Sequence, residues 1–176
     1  MTIPFVECLD ITNNVFTEKR PLFTKREGAG ACIFEAALMI FVFGGSNMES
    51  ERLDTIEQYD IQRDIWYLVE IKMHQAIGFP VCHALGRDKV LILGSVPTET
   101  FDGKSGKLLL GKEPAMQVID LSAAINYITC TTQDFDKIYM PSFLDQNGLL
   151  HMFKGTLDNE PALEKYDISR IINLKV

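Results

Sequence analysis

The side chains that could carry chemistry are few and scattered. The histidines are His74, His83 and His151, and the cysteines are Cys8, Cys32, Cys82 and Cys130. A zinc or dithiol site is usually announced by a Cys-x-x-Cys pair, and no two cysteines here stand that close. Three of the four lie in apolar, strand-like runs, where a free Cys packs as a small hydrophobe. His83 sits just before a loop and His151 lies in an apolar run, so both read as packing or surface residues. There is no Gly-x-Ser-x-Gly elbow and no His-Glu-x-x-His pair. Gly103-Lys104-Ser105-Gly106-Lys107 resembles a phosphate loop only faintly: it lacks the apolar strand before it and the Gly-Lys-Ser/Thr ending ahead of a helix. The expectation is a protein without catalytic, cofactor-binding or metal-binding residues, and with no cofactor.

The elements that must position these residues come from an ordinary folding composition. The chain has 176 residues, 47% apolar and 23% charged, close to an average soluble domain. Lys and Arg number 17 against 24 Asp and Glu, for a net charge of -7. Nucleic acids and anionic membranes are bound by clustered Lys and Arg; no such run occurs, so neither is an expected partner. The most apolar stretch, Ala29 to Phe43, is broken by Glu35 and is shorter than the roughly 20 residues a membrane helix needs. Membrane insertion is not expected. Met1 to Asp10 shows no basic segment followed by an apolar core, which argues against a signal peptide. With no Asn-x-Ser/Thr sequon and free cysteines, the expected location is an intracellular, reducing compartment such as the cytoplasm or a cytoskeletal or organellar assembly.

An internal repeat organises the chain. With Asp10, Asp60, Asp120 and Asp167 in register, each Asp has an apolar residue four before it and Glu or Gln three before it. Leu, Tyr or Ile comes directly before it, and Ile or Leu directly after. A second unit repeats in phase: Ala31 to Gly45 aligns without gaps on Val81 to Ser95 and on Pro141 to Gly155, at the same offsets of 50 and 60 residues. Cys32, Cys82 and Ser142 coincide, as do the runs starting at Ile40, Val90 and Leu150. Short apolar runs ending at Gly suit strands buried on both faces. Glu57 and Gln58, between Ile56 and Tyr59, suit a shorter, outer strand. A helix over Leu53 to Trp66 is an alternative on spacing, but Glu113-Pro114 before the Asp120 copy would not start it in register.

Periods near 50 residues with four strands each point to propeller blades. The unit Ile40-Phe41-Val42-Phe43-Gly44-Gly45, then Tyr59-Asp60, then Trp66 six residues after the Asp, resembles the kelch repeat. Later copies are degraded: Gly94-Ser95 and Lys154-Gly155 replace the double glycine, and Asp120 and Tyr166-Asp167 mark the later turns. The resemblance implies an all-β fold of four-stranded antiparallel blades. Gly44 and Gly45 would end the second strand in a turn. Tyr59 and Trp66 would pack between blades, and Asp60 would open a turn by bonding its own backbone. Gly44, Gly45, Tyr59, Asp60, Trp66, Gly94, Asp120, Gly155, Tyr166 and Asp167 are therefore structural positions.

By count the chain holds about three to three and a half blades, in pieces near 1–20, 21–70, 71–130 and 131–176. A six-bladed ring at about 50 residues per blade would need roughly 300 residues, so this is an incomplete ring. Its open edges call for cover by a protein partner, a second copy or the rest of a longer protein. In the kelch family, loops joining strands two and three line a face that binds peptide or protein. Here those loops are Ser46 to Arg52, Val96 to Pro114 and Thr156 to Pro161. The middle one is the longest, and Thr100, Phe101, Lys104, Lys107 and Leu109 are its candidate partner-binding residues. The expected function is a non-enzymatic interaction or scaffold module within a larger assembly. The alternatives are a transient peptide-binding adaptor and a sugar-binding, metal-binding or oxidase-like propeller using the axial cavity.

Overall fold

The computed structural model describes residues 4–102, 107–122, 127–130, 142–154 and 162–168. Within them the chain is built of antiparallel sheets, each a meander whose strands pair in sequence order. The first sheet has two strands, β1 (Val6–Asp10) and β2 (Val15–Lys19). The second has four, β3 (Gly30–Phe34), β4 (Met39–Phe43), β5 (Ile56–Asp60) and β6 (Ile65–Val69). The third has β7 (Gly78–Leu85), β8 (Lys89–Asp102), β9 (Lys107–Asp120) and β10 (Tyr127–Cys130). The fourth has β11 (Ser142–Leu144), β12 (Leu149–Lys154) and β13 (Ala162–Asp167). This is an all-β architecture of incomplete propeller blades.

The continuous apolar run of β8 is explained by cover on both of its faces. In β8 the side chains alternate between two neighbours. Val90 and Ile92 join Phe34, Phe41, Phe43 and Ile56 of the second sheet in one core cluster. Leu91 and Leu93 join Leu150, Met152 and Ile168 in another. All four β8 residues are fully buried, so alternation of polarity disappears and the run is continuously apolar. Phe34 and Phe41 meet edge to face with centroids 5.5 Å apart, a favoured aromatic geometry.

The repeated Asp residues begin the tight turns. Asp60 Oδ1 accepts from the backbone N–H groups of Gln62 and Arg63, both at 3.0 Å. Asp10 Oδ1 does the same for Thr12 and Asn13 at 2.9 and 3.1 Å. Each turn closes on a residue with left-handed backbone, Asn14 (φ 54°) and Asp64 (φ 52°). Asn and Asp tolerate this conformation better than other non-glycine residues.

Two expectations about local structure are corrected. The Glu57-containing strand is not an outer one: β5 lies between β4 and β6, and Glu57 is fully buried. Its carboxylate is retained inside because it is ion-paired and bonded to backbone, as described below. The segment Val96 to Pro114 is not a loop. β8 and β9 stay in register from Lys89↔Asp120 to Asp102↔Lys107, so the candidate positions Thr100, Phe101, Lys107 and Leu109 lie on a β-ladder. Lys104 lies outside the described residues. The reason is local: Ser95 stands where Gly45 turns the chain, Gly94 lacks the positive φ of Gly44 and Gly45, and the strand runs on.

Candidate functional site

The kelch-like unit is a joint between neighbouring sheets. Gly44 and Gly45 have φ +57° and +86°, a region other residues enter at a cost. A Cβ on Gly44 would stand 2.6 Å from the Ile77 carbonyl oxygen, and one on Gly45 would stand 2.6 Å from that of Glu27. The missing side chains let backbone from the third sheet's approach reach the turn: Gly45 N–H donates to Ile77 O at 3.2 Å. Tyr59 and Trp66 are buried, with ring centroids 4.7 Å apart. Trp66 Nε1–H donates to Arg20 O at 2.7 Å, and Asp64 accepts from Arg20 N–H at 3.1 Å and from the Tyr59 hydroxyl at 2.6 Å. The Tyr59 hydroxyl is pushed up to about 12, first by burial and then by Asp64. Tyr59, Asp64 and Trp66 thus grip the chain as it leaves the first sheet.

A second joint was not singled out from the sequence. Arg26 and Glu57 form a buried ion pair, Nη2 to Oε1 at 2.6 Å. Glu57 also accepts from the N–H groups of Phe23 and Thr24 at 2.8 and 3.0 Å. Arg26 donates to Gly44 O at 2.9 Å and to Thr55 O at 3.2 Å. In the third sheet the equivalent side chain is Gln117, also fully buried. It accepts from His74 N–H at 3.0 Å and donates to Gln75 O at 2.9 Å. The same repeat position therefore fastens the segment entering each of these two sheets. The signal was present as the Glu or Gln three residues before each Asp; its burial was not legible, because nothing beside it in the sequence names the cation that pairs with it.

The remaining sequence-selected positions fall apart in space or serve turns. Asp120 is buried, accepts from Ser122 N–H at 2.9 Å and lies 3.7 Å from Lys89 Nζ. Gly94 abuts the side chain of Ile77, so the strand there needs a residue without Cβ. Tyr166 and Asp167 pair with Leu150 and Leu149 in β13, and Gly155 lies outside the described residues. The histidines take separate partners. His74 uses its backbone as above, His83 Nε2 lies 2.9 Å from Ser142 Oγ, and His151 Nε2 lies 2.9 Å from Asp145 Oδ2. Burial lowers the His83 pKa, favouring its neutral ring. Burial pushes the Cys32 thiol up to about 12 and the Cys82 thiol well above its usual range, away from the thiolate that reacts or binds metal. Among the described residues no three His, Cys, Asp or Glu side chains group as metal ligands.

Residues 38–71 match the family described as the Kelch motif. The chain carries a kelch repeat. The matched span holds the Gly44-Gly45 turn, Tyr59-Asp60 and Trp66, the residues whose joints are described above. The kelch motif suggests a protein-interaction module, and kelch repeats are typically non-enzymatic. No curated protein matches the chain.

Two features of the surface stand apart from the closed sheets. One is the β8–β9 arm: from Val96↔Glu113 outward, the two strands pair only with each other among the described residues. The other is a groove of about 580 Å³ between the first and second sheets, lined by Val6, Cys8, Leu22, Ile40, Val42 and Trp66 among others. No helix among the described residues is long and apolar enough to cross a membrane.

Proposed function

We propose that this kelch chain is a non-enzymatic interaction or scaffold module, held as a structural component in a larger intracellular assembly whose other protein covers its open edges. The observation that carries this reading is the exposed apolar surface at the first sheet. Its two strands and the residue before them leave Phe5, Leu9, Val15 and Phe16 at 41–64% exposure. Leu9 and Phe16 face each other across the two strands, and exposed apolar patches mark interaction sites. The blade pieces 1–20, 21–70, 71–130 and 131–176 are the units such an assembly would complete. The β8–β9 arm, with Thr100, Phe101, Lys107 and Leu109, supplies a further partner contact, and Lys104 in the sequence between the two strands belongs to the same proposed set.

Joining Val96 to Glu113 through a two-residue Asn-Gly turn removes the arm while keeping a hairpin, since these residues face each other in the ladder. Proteins captured from cell extract by the shortened and the intact chain are then compared. The expected result is loss of at least one stoichiometric partner with the shortened arm. Identical capture would remove the arm from the contact surface.

A further inference from the structure

The arm formed by β8 and β9 has two outer edges, and its prolines distinguish them. Opposite residues in an antiparallel ladder alternate between pairs that exchange hydrogen bonds and pairs whose N–H and C=O groups point away from each other. Leu121 N–H donates to Asp88 O at 2.7 Å, one step beyond the pair Lys89↔Asp120. From that pair the register runs without a shift to Asp102↔Lys107. Even-numbered residues of β8 and odd-numbered residues of β9 therefore bond across the arm, and the others point their backbone groups outward. Pro97 and Pro114 both take outward positions, so neither removes a bond from the arm itself. On the β8 side, pairing with β7 ends at Gly78↔Ser95, and the next outward position is Pro97, which has no N–H to offer. On the β9 side, pairing with β10 ends at Cys130↔Met116. Past Pro114, the outward positions Lys112, Leu110 and Leu108 keep both N–H and C=O, and among the described residues no strand pairs with them.

We infer that this β9 edge pairs with the same edge of a second copy of the chain, antiparallel and centred on Leu110. This rests on the reading of the arm as a contact surface and names its occupant. A two-stranded ribbon is marginal in water, and joining two arms makes a four-stranded sheet. The twofold sets Leu110 opposite Leu110 of the second copy and Leu108 opposite its Lys112. These are the positions whose backbone groups point outward, so the pairing supplies main-chain hydrogen bonds. The same register sets Lys107 opposite Glu113 of the second copy, and by symmetry Glu113 opposite its Lys107. Opposite charges at facing positions favour a strand pair. Neighbouring registers lose this match. Centred on Leu109, Lys107 would face Gly111; centred on Gly111, Leu108 would face Pro114, which cannot donate. The pairing also stops at Glu113, short of Met116, where β10 begins its own. Pro97 makes the β8 edge a poor template, so association closes at two copies instead of continuing as a fibre. A second copy is favoured over an unrelated strand because this edge is its own charge complement.

The test uses the full chain. Light scattering over a concentration series should show a dimer, and amide exchange at Leu108, Leu110 and Lys112 should slow as the dimer fills. Leu110→Pro removes an outward N–H and leaves the arm's own ladder in place. It should give a folded monomer whose melting temperature no longer depends on concentration. Glu113→Lys and Lys107→Glu each set like charges opposite each other, and each should weaken self-association about tenfold or more. Mixed in equal amounts, the two variants should restore the dimer, because each then meets its complement; a folding defect in either could not be repaired this way. A monomeric chain would overturn the proposal. So would a dimer that survives Leu110→Pro, one indifferent to both charge changes, or a mixture that stays dissociated. If the chain is monomeric while capture from extract still depends on the arm, the interaction module stands and only this occupant falls. If the dimer forms as described and arm-dependent capture is absent, the self-pairing stands without a further partner on the arm.

Discussion

The seam between the first and second sheets and the seam between the second and third are written in the same repeat and end differently. At the later seam, Phe41 and Phe43 cover Val90 and Ile92, and Gln117 ties down the entering backbone. At the earlier one, Tyr59, Asp64 and Trp66 hold the exit of the first sheet at Arg20, and Glu57 ties the segment entering the second sheet. Nothing in the described residues covers Ile40 and Val42 as Phe41 and Phe43 cover their counterparts. The polar joints of a blade therefore form without its neighbour being complete, whereas the apolar seam does not. Local bonds need one chain segment in reach; burial needs a whole opposing surface.

The sharpest way to break this comparison is at its buried charge. Glu57→Ala leaves Arg26 buried and unpaired, and should cost about 3–5 kcal/mol. Gln117→Ala strips two backbone partners without stranding a charge, and should cost about 1–3 kcal/mol. Glu7→Ala, at the same repeat position but exposed, should stay within about 0.5 kcal/mol. Urea unfolding midpoints of the three variants check the order. A Glu7 effect equal to that of Gln117 would mean the first seam is already complete in the free chain.

A smaller contrast comes from one substitution made on each seam. Ile92→Ala opens a cavity in a closed core and should cost about 2–5 kcal/mol. Ile40→Ala removes a half-buried side chain beside an existing groove and should cost less than half as much. Thermal unfolding of the two variants decides it, and equal losses would refute the difference in cover.

Acid should produce the smallest effect, confined to the earlier seam. The Tyr59 hydroxyl, with the Arg20 N–H, holds the Asp64 carboxyl below its ordinary 3.8. A carboxyl depressed in the folded state contributes stability that is present above that ordinary value and lost as pH falls through the folded value. Between pH 5 and pH 2, exchange of the β1 and β2 amides should accelerate before that of β8 and β9. Asp64→Asn, which keeps a residue tolerant of φ 52°, should reduce that acid response. An unchanged response would place it on other carboxylates, such as Asp10, which Asn13 and Thr12 depress in the same way.

Much of the fold was legible because its rules are local. Apolar runs of four, a double glycine, and an Asp with an apolar residue on each side dictate strands and turns within a few residues of themselves. The misreadings arose where the deciding partner lay far along the chain. Glu57 was assigned to an outer strand because Arg26 is 31 positions away, and only the fold brings the two together. Val96 to Pro114 looked like a loop because Pro97, Pro114 and four nearby glycines are turn formers; a cross-strand register extending from Lys89↔Asp120 overrode them. For the same reason Thr100, Phe101, Lys107 and Leu109 change their setting, from a loop to the strands of an arm.

The amino-acid sequence by itself determined the repeat, the strand order within each sheet and the turns at Asp10 and Asp60, because these depend on periodicity and on side chains bonding their nearest backbone. Tertiary structure alone decided which equivalent positions are closed and which are open. Val6 and Ile56, or Glu7 and Glu57, are near-identical letters in the repeat. What separates them is whether another strand lies alongside to exclude water, and that depends on the neighbouring sheet rather than on the residue itself.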